Sequence, residues 1–147
     1  MTSPSDVSVV PLAKACEVLG VSRQRRDGWV KDKLILGDTK GRTSLSEVLD
    51  CAAFIALVGA LGFDDARIAW MQVRDACRAN RDGVRLDVVV DLQYKETFLA
   101  TSDDAIGEKV RHGRPVKVVA IGDRLNEVRA AFALVEAGLG RAAKSRS

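Results

Sequence analysis

The sequence predicts an α+β protein in which helices dominate the first half and strands enter in the second. Apolar residues recur at helical spacing over residues 11–80, including a nearly unbroken apolar stretch at 48–58. From Val84 onward apolar and polar residues mostly alternate, which is the period of a strand. We therefore expect four helices with a hairpin over residues 9–80, a small three-stranded α/β unit over 84–138 and a basic tail over 139–147.

The basic residues are concentrated near the start of the chain. The protein has 147 residues, of which 47% are hydrophobic, and this is enough for one domain or two small ones. Its formal net charge of +3 does not by itself indicate a nucleic-acid partner. Between residues 11 and 42, however, basic residues outnumber acidic ones by eight to four. A local surface that favours anions is therefore expected in this region.

The first two helices are expected over residues 11–19 and 23–33, separated by a tight turn. Gly20 can take the positive φ that such a turn requires, because it has no Cβ. Ser22 can cap the second helix by accepting a hydrogen bond from a free N–H group. This order of elements is the pattern of a helix-turn-helix.

A polar hairpin is expected over residues 37–43, directly after the apolar residues 34–36. Glycines bracket this segment, and Lys40 and Arg42 lie near its tip. A hairpin next to a helix-turn-helix is called a wing. Two further helices are expected at residues 46–61 and 64–80.

The α/β unit is expected to contain a half-buried first strand that begins at Val84. Val89, Leu99 and Val119 fall opposite the main apolar stripes, which is consistent with a sheet covered on both sides. A dimer interface, an effector pocket and helices packed on both faces would each explain such a sheet. The remaining strands are expected at 95–100 and 115–121, and the helices at 103–111 and 123–137. The basic tail is expected to lack regular structure.

The order of the elements over residues 9–78 resembles that of the MerR family of winged helix-turn-helix transcription regulators. The resemblance implies a DNA-binding head in which the second helix enters the major groove and the wing contacts the DNA backbone. The matching residues are Leu19, Gly20, Val21, Ser22, Trp29, Leu34 and Ile35 in the reading head, Gly41 and Arg42 in the wing, and Phe54, Ile55, Leu61, Gly62, Phe63 and Ile68 in the later helices.

The chain also departs from this family at defined positions. Arg26 stands where the family usually has a leucine, Gly28 where it has a bulky residue, and Ser44 where a tyrosine is common. The family continues into a long coiled-coil helix, whereas this chain turns to strand at Val84. The family's DNA-untwisting activation and its metal or redox sensing are therefore not carried over.

Basic and amide side chains crowd the first turns of the second helix, where a helix-turn-helix meets base edges. Arg23, Gln24 and Arg25 are candidate base readers, because arginine can pair with guanine and glutamine with adenine. Because successive helical positions rotate by about 100°, at least one residue of the run 23–26 must point elsewhere. Trp29 is expected in the core rather than on a ligand. The candidate DNA-binding residues are Ser22, Arg23, Gln24, Arg25, Arg26, Lys31, Lys40 and Arg42, of which Ser22, Lys31, Lys40 and Arg42 are assigned to phosphates.

The sequence thus predicts a sequence-specific regulator that binds double-stranded DNA, with a repressor favoured and a phage or mobile element as its source. A homodimer is expected, no cofactor is predicted, and a small-molecule or protein effector is left open. Two alternatives remain: an excisionase-like architectural DNA-binding protein, and a protein-interaction module that does not bind DNA.

Catalysis is not expected, because the chain lacks the residue patterns that enzymes of the obvious classes need. The turn before Asp123 resembles a phosphate-binding turn, but it has no GxGxxG or P-loop motif and carries a negative charge. His112 has no neighbouring partner that would make it a general base.

The three cysteines, Cys16, Cys51 and Cys77, form no CxxC pair or cluster with histidine. They are therefore expected to be buried free thiols in a reducing compartment rather than disulfides or metal ligands. Residues 1–10 show no secretory signal pattern, and no apolar run approaches the roughly 20 residues of a membrane span. A soluble, cytoplasmic protein is expected.

Overall fold

The computed structural model describes residues 9–38, 40–80, 85–93, 96–102, 107, 113 and 115–145, with side chains up to Leu139. Within this part of the chain five helices and five strands form an α+β fold, as the sequence predicts. The elements are β1 (Val9–Pro11), α1 (Leu12–Leu19), α2 (Arg23–Lys31), β2 (Arg42–Ser44), α3 (Leu45–Leu61), α4 (Phe63–Asn80), β3 (Asp87–Asp91), β4 (Glu96–Ala100), β5 (Val116–Ala120) and α5 (Ile121–Ser145).

The predicted helices agree closely with the described ones in the first half of the chain. The helices expected at 46–61 and 64–80 are α3 and α4, each of which begins one residue earlier. The helix expected at 103–111 lies outside the described residues, apart from Gly107. The helix expected at 123–137 is α5, which continues through Ser145. Most of the predicted tail is therefore helical.

The first sheet corrects the predicted hairpin. β2 pairs antiparallel with β1, with Val10 opposite Thr43, so its partner strand lies at residues 9–11, outside the predicted hairpin 37–43. Residues 34–36 form bends instead. Leu34 and Ile35 are buried, and the N–H of Leu36 donates to Asp50 Oδ2 at 2.7 Å. Because this amide bonds a side chain of α3, it does not take part in a strand ladder.

The second sheet has the order β4-β3-β5, with all neighbours antiparallel. Val88 and Val89, which point to opposite faces, are both buried, so β3 is covered on both faces. This outcome contradicts the expected half-buried strand and agrees with the apolar residue at position 89, which indicated a sheet covered on both sides. Asp91 is 0% exposed, whereas Leu92, which follows the last residue of β3, is 52% exposed. β3 is the central strand of the sheet and is hydrogen-bonded to a neighbouring strand along each edge.

Buried acidic groups on β3 have polar partners. Asp87 Oδ2 lies 2.9 Å from Arg85 Nε, and Asp91 Oδ1 accepts a hydrogen bond of 3.0 Å from the N–H of Gln93. These partners offset the cost of burying a carboxylate.

The described chain divides into two compact units, Met1–Ala52 with Asn126–Ser147, and Ala53–Leu125. The helices α3 and α5 each contribute to both units, whereas the predicted domains met between residues 80 and 84. In the second unit Phe54 packs against Trp70, with ring centroids 6.1 Å apart. The functional division at 80–84 stays a prediction.

The structure also describes the three cysteines and the apolarity of the helices. Cys16, Cys51 and Cys77 are free and buried, as predicted. Among the described helices, none combines the length and apolarity that a membrane span requires.

Candidate nucleic-acid interface

The turn between α1 and α2 has the geometry that its glycine predicts. Gly20 adopts the left-handed conformation with φ of 71° and ψ of 34°. Its N–H donates to the carbonyl oxygen of Cys16 at 2.9 Å, and the N–H of Val21 donates to the same oxygen at 3.2 Å. These bonds satisfy the last carbonyl groups of α1 and reverse the chain direction.

The start of α2 is capped by the predicted residue. The Ser22 side chain accepts a hydrogen bond of 3.2 Å from the N–H of Arg25, three residues along. Ser22 is exposed, but its hydroxyl oxygen already accepts a hydrogen bond from the backbone of α2. The cap sets where α2 begins and hence which residues occupy its first turn.

The buried side of α2 carries Trp29 and, against expectation, Arg26. Trp29 is 6% exposed, which places it in the core as predicted, and Arg26 is only 2% exposed. At about 100° per residue these two positions lie on nearly the same side of the helix. Arg26 is therefore the member of the basic run that points inward.

The Arg26 guanidinium has oxygen partners in three segments of the first unit. Its Nη1 donates to Asp27 Oδ1 at 3.1 Å and to the carbonyl oxygen of Asp38. Its Nη2 lies 3.9 Å from Glu47 Oε2, which also accepts a hydrogen bond of 2.8 Å from the Thr43 hydroxyl. We call Arg26, Asp27, Thr43, Glu47 and the Asp38 carbonyl the Arg26 network.

Because Arg26 is enclosed by this network, it is not available to a nucleic acid, and we remove it from the candidate contact residues. Its role in the structure is to join α2 to segment 37–43 and to the first turn of α3. Gly37 supports the same arrangement with a φ of 144°, since a Cβ there would collide with Arg26 Nη2.

The exposed side of α2 carries the other candidates. Arg23, Gln24, Arg25 and Lys31 are all exposed. Arg23 Nε lies 3.6 Å from Asp27 Oδ2, and about half of its side chain remains accessible at 50%. The Arg25 guanidinium lies 5.3 Å from the centroid of the Trp29 ring. This cation–π contact orients an arginine that still faces solvent.

Segment 37–43 presents Lys40 and Arg42 to solvent, as the sequence predicts. Both residues are exposed, and they line a shallow surface depression together with Val9 and Glu47. The N–H of Leu12 donates to the carbonyl oxygen of Gly41 at 2.8 Å. This bond fixes segment 37–43 to the start of α1. No ion pair to Lys31, Lys40 or Arg42 occurs within the part of the chain that the structure describes.

Two acidic residues that hold these segments together, Glu47 and Asp50, were not among the residues expected from the sequence. One signal was available for Glu47, because it follows Ser44 at the spacing of a capping box. The N–H of Glu47 does bond Ser44 Oγ, at 3.4 Å. The Glu47 carboxylate, however, contacts Thr43 and Arg26, and these contacts have no local signature.

Cys16 and Cys51 lie in the same unit as the exposed basic residues, and their thiols are unreactive. Burial raises the pKa of the Cys51 thiol to about 12, and the nearby positive charge of Arg26 offsets only part of this rise. Burial also raises the pKa of Cys16, again partly opposed by Arg26. Both thiols therefore remain protonated at neutral pH and are poor nucleophiles.

No group of three or more potential metal ligands occurs among the described residues. Comparison with protein-family models gives no match to this chain, and comparison with curated proteins gives none either.

Proposed function

We propose that the protein is a sequence-specific, double-stranded DNA-binding transcription regulator with a winged helix-turn-helix head that resembles the MerR family. The observation that carries the proposal is the division of α2 into two sides. Trp29 and Arg26 fix one side in the interior, while Arg23, Gln24, Arg25 and Lys31 cover the exposed remainder. A rigid helix with hydrogen-bond donors on its exposed surface suits the major groove.

The exposed residues divide into two chemical classes. Gln24 can form two hydrogen bonds to the edge of an adenine, and Arg25 can form two to the edge of a guanine. Arg23 can pair with guanine in the same way as Arg25. Lys31, Lys40 and Arg42 are exposed cations suited to phosphates, which fix register without carrying sequence information. Such a division of labour is typical of proteins that read DNA sequence.

Segment 37–43 supports the proposal through its attachment to α1 and α2. The Arg26 network and the Gly41 carbonyl hold this segment beside the two helices. Lys40 and Arg42 are thereby kept at a defined place in the same unit as Gln24 and Arg25. A preorganised set of cations loses less freedom on binding than a flexible one would.

We favour a repressor, because repression needs only occupancy of the DNA. Activation in the family that the chain resembles depends on untwisting the DNA through a coiled-coil dimer. Here α4 ends at Asn80, and the next element described is the strand β3.

The test measures the affinity of the full chain for short duplexes, both random and selected from a random library, as a function of salt. We expect log Kd to rise steeply with log salt, because phosphate contacts release counterions.

Lys40→Ala should weaken selected and random duplexes alike and lower the salt slope by about one. Arg25→Ala should cost about 1–3 kcal/mol on the selected duplex and relax specificity at one base pair.

The matched control is Arg67→Ala, which removes an exposed arginine from α4 and should leave both affinities unchanged. A salt-independent affinity would contradict phosphate-led binding. Equal losses for Arg25→Ala and Lys40→Ala on both duplexes would refute the proposed roles. Absence of any binding by the wild type would favour the protein-interaction module.

A further inference from the structure

Gly28 lies within α2, and nothing in the described structure requires a glycine there. Glycine is the least favourable helix residue apart from proline. Among the described residues the glycines with positive φ are Gly20, Gly37, Gly62 and Gly113, so Gly28 is not needed for an unusual backbone conformation. A Cβ built at Gly28 meets no atom within 4 Å. Packing therefore does not require it either.

Other glycines of the chain do have such reasons. A Cβ at Gly122 would lie 3.0 Å from the backbone nitrogen of Leu86, and one at Gly37 would strike the Arg26 guanidinium. Gly59 and Gly138 also lie within helices without such a reason, so what distinguishes Gly28 is its place on the helix that carries the exposed basic and amide residues.

The place of Gly28 on α2 suggests what does explain it. Helical rotation puts Gln24, Gly28 and Lys31 on the side opposite Arg26 and Trp29. Gln24 precedes Gly28 by one turn, and Lys31 follows it by nearly one. Gly28 is itself half-buried, and a Cβ there would meet open space, so the helix has a stretch of backbone without a side chain between two exposed polar residues.

We infer that Gly28 is a specificity-determining position at which double-stranded DNA comes into van der Waals contact with the α2 backbone. The inference rests on the proposed function. A glutamine side chain is short, so Gln24 reaches an adenine only if the helix lies deep in the groove. A side chain at position 28 would hold the helix away from the DNA and remove that contact.

The experiment compares Gly28→Ala with Gly59→Ala in the full chain. Gly59 is the matched control, because it is an exposed glycine within α3 whose Cβ would also meet nothing within 4 Å. Each alanine should raise Tm by roughly 2–4 °C through helix propensity. A lower Tm for Gly28→Ala would show a structural need for glycine and overturn the inference.

Affinity is then measured for the duplex that the wild type selects from a random library. We expect Gly28→Ala to raise Kd at least about tenfold, a loss of about 1.4 kcal/mol, while Gly59→Ala leaves Kd unchanged. The salt slope should stay the same for both variants, because no phosphate contact is removed. In a Gln24→Ala background the effect of Gly28→Ala should shrink, since both changes remove one contact.

Two outcomes separate the inference from the function on which it rests. If the wild type selects and binds a duplex and Gly28→Ala binds it equally well, the inference is wrong and the proposed function stands. If the wild type binds no duplex, the proposed function itself fails.

Discussion

Arg26 is the residue whose role differs most from what its type suggests. Its neighbours Arg25 and Gln24 face solvent, whereas Arg26 is buried among Asp27, Glu47 and the Asp38 carbonyl. A buried guanidinium is tolerated only when its donors are satisfied, because desolvation of an unpaired charge is costly. Arg26 is thus a structural residue within a basic run.

Replacing Arg26 should destabilise the protein much more than replacing its exposed neighbour. Arg26→Ala leaves the Asp38 carbonyl without this donor and Glu47 without its cationic partner, so we expect a loss of about 2–4 kcal/mol in the free energy of unfolding. Arg25→Ala removes one exposed cation–π contact and should cost less than about 1 kcal/mol. Urea unfolding of both variants measures the difference, and equal losses would contradict the structural role of Arg26.

Cys51 should make stability depend on pH in the alkaline range. The unfolded thiol ionises near 9.0, whereas burial raises the folded pKa to about 12. The folded state therefore keeps a proton that the unfolded state has lost, and stability falls as pH rises between these values. The decline attributable to Cys51 is at most about 1.4 kcal/mol per pH unit.

The comparison is between the wild type and Cys51→Ala, unfolded in urea at pH 8 and at pH 10. The variant should lose less of its stability over this interval than the wild type does. Parallel declines in the two proteins would mean that Cys51 ionises normally in the folded state.

At the scale of elements, α2 ends in an unusual way. Lys33 has a φ of 60°, the left-handed region that non-glycine residues seldom occupy. The N–H of Lys33 donates to the carbonyl oxygen of Val30 at 3.0 Å, and that of Leu34 donates to the carbonyl of Trp29 at 2.9 Å. These bonds end the helix and turn Leu34 into the core.

Glycine at position 33 should therefore stabilise the protein. Lys33→Gly relieves the left-handed strain, and we expect a gain of about 0.5–1 kcal/mol after the extra chain entropy of glycine is counted. Lys31→Gly is the matched control, because Lys31 is helical and the same change there should cost about 0.5–1 kcal/mol. Thermal unfolding measures whether each change raises or lowers the stability of the protein. A loss of stability at both positions would argue against strain at Lys33.

Helices were easier to predict than strand partners. The bounds of α3 and α4 follow from apolar spacing and from acidic residues near the start of α4, which are local features. The partner of β2 was missed because residues 9–11 are distant in sequence. The burial of Asp87 and Asp91 was missed because these residues lie at the polar positions of an alternating pattern. Alternation marks one buried face only when the other face is open.

At the scale of the molecule, the two compact units do not follow the order of the chain. The first contains the candidate interface and takes its last segment from Asn126–Ser147, while the second holds the three-stranded sheet. The continuous helices α3 and α5 run through both units. The role that we propose for the second unit is dimerisation or regulation.

A homodimer should leave a signature in the DNA that it selects. Sequencing the genomic fragments retained by the full chain should reveal an inverted repeat, with half-sites about one helical turn apart. The reason is that a two-fold dimer presents two copies of α2 in opposite orientations. A single unrepeated site would favour a monomer with an excisionase-like architectural role instead.

The sequence by itself determined the elements that depend on neighbouring residues. Gly20 forms the turn, Ser22 caps α2, and apolar spacing sets α3 and α4, because each acts within a few residues of its own position. Only the tertiary structure decided that Arg26 is buried and that β2 pairs with residues 9–11. Both outcomes depend on groups brought together from distant parts of the chain, and a local pattern of residue types carries no information about which groups those are.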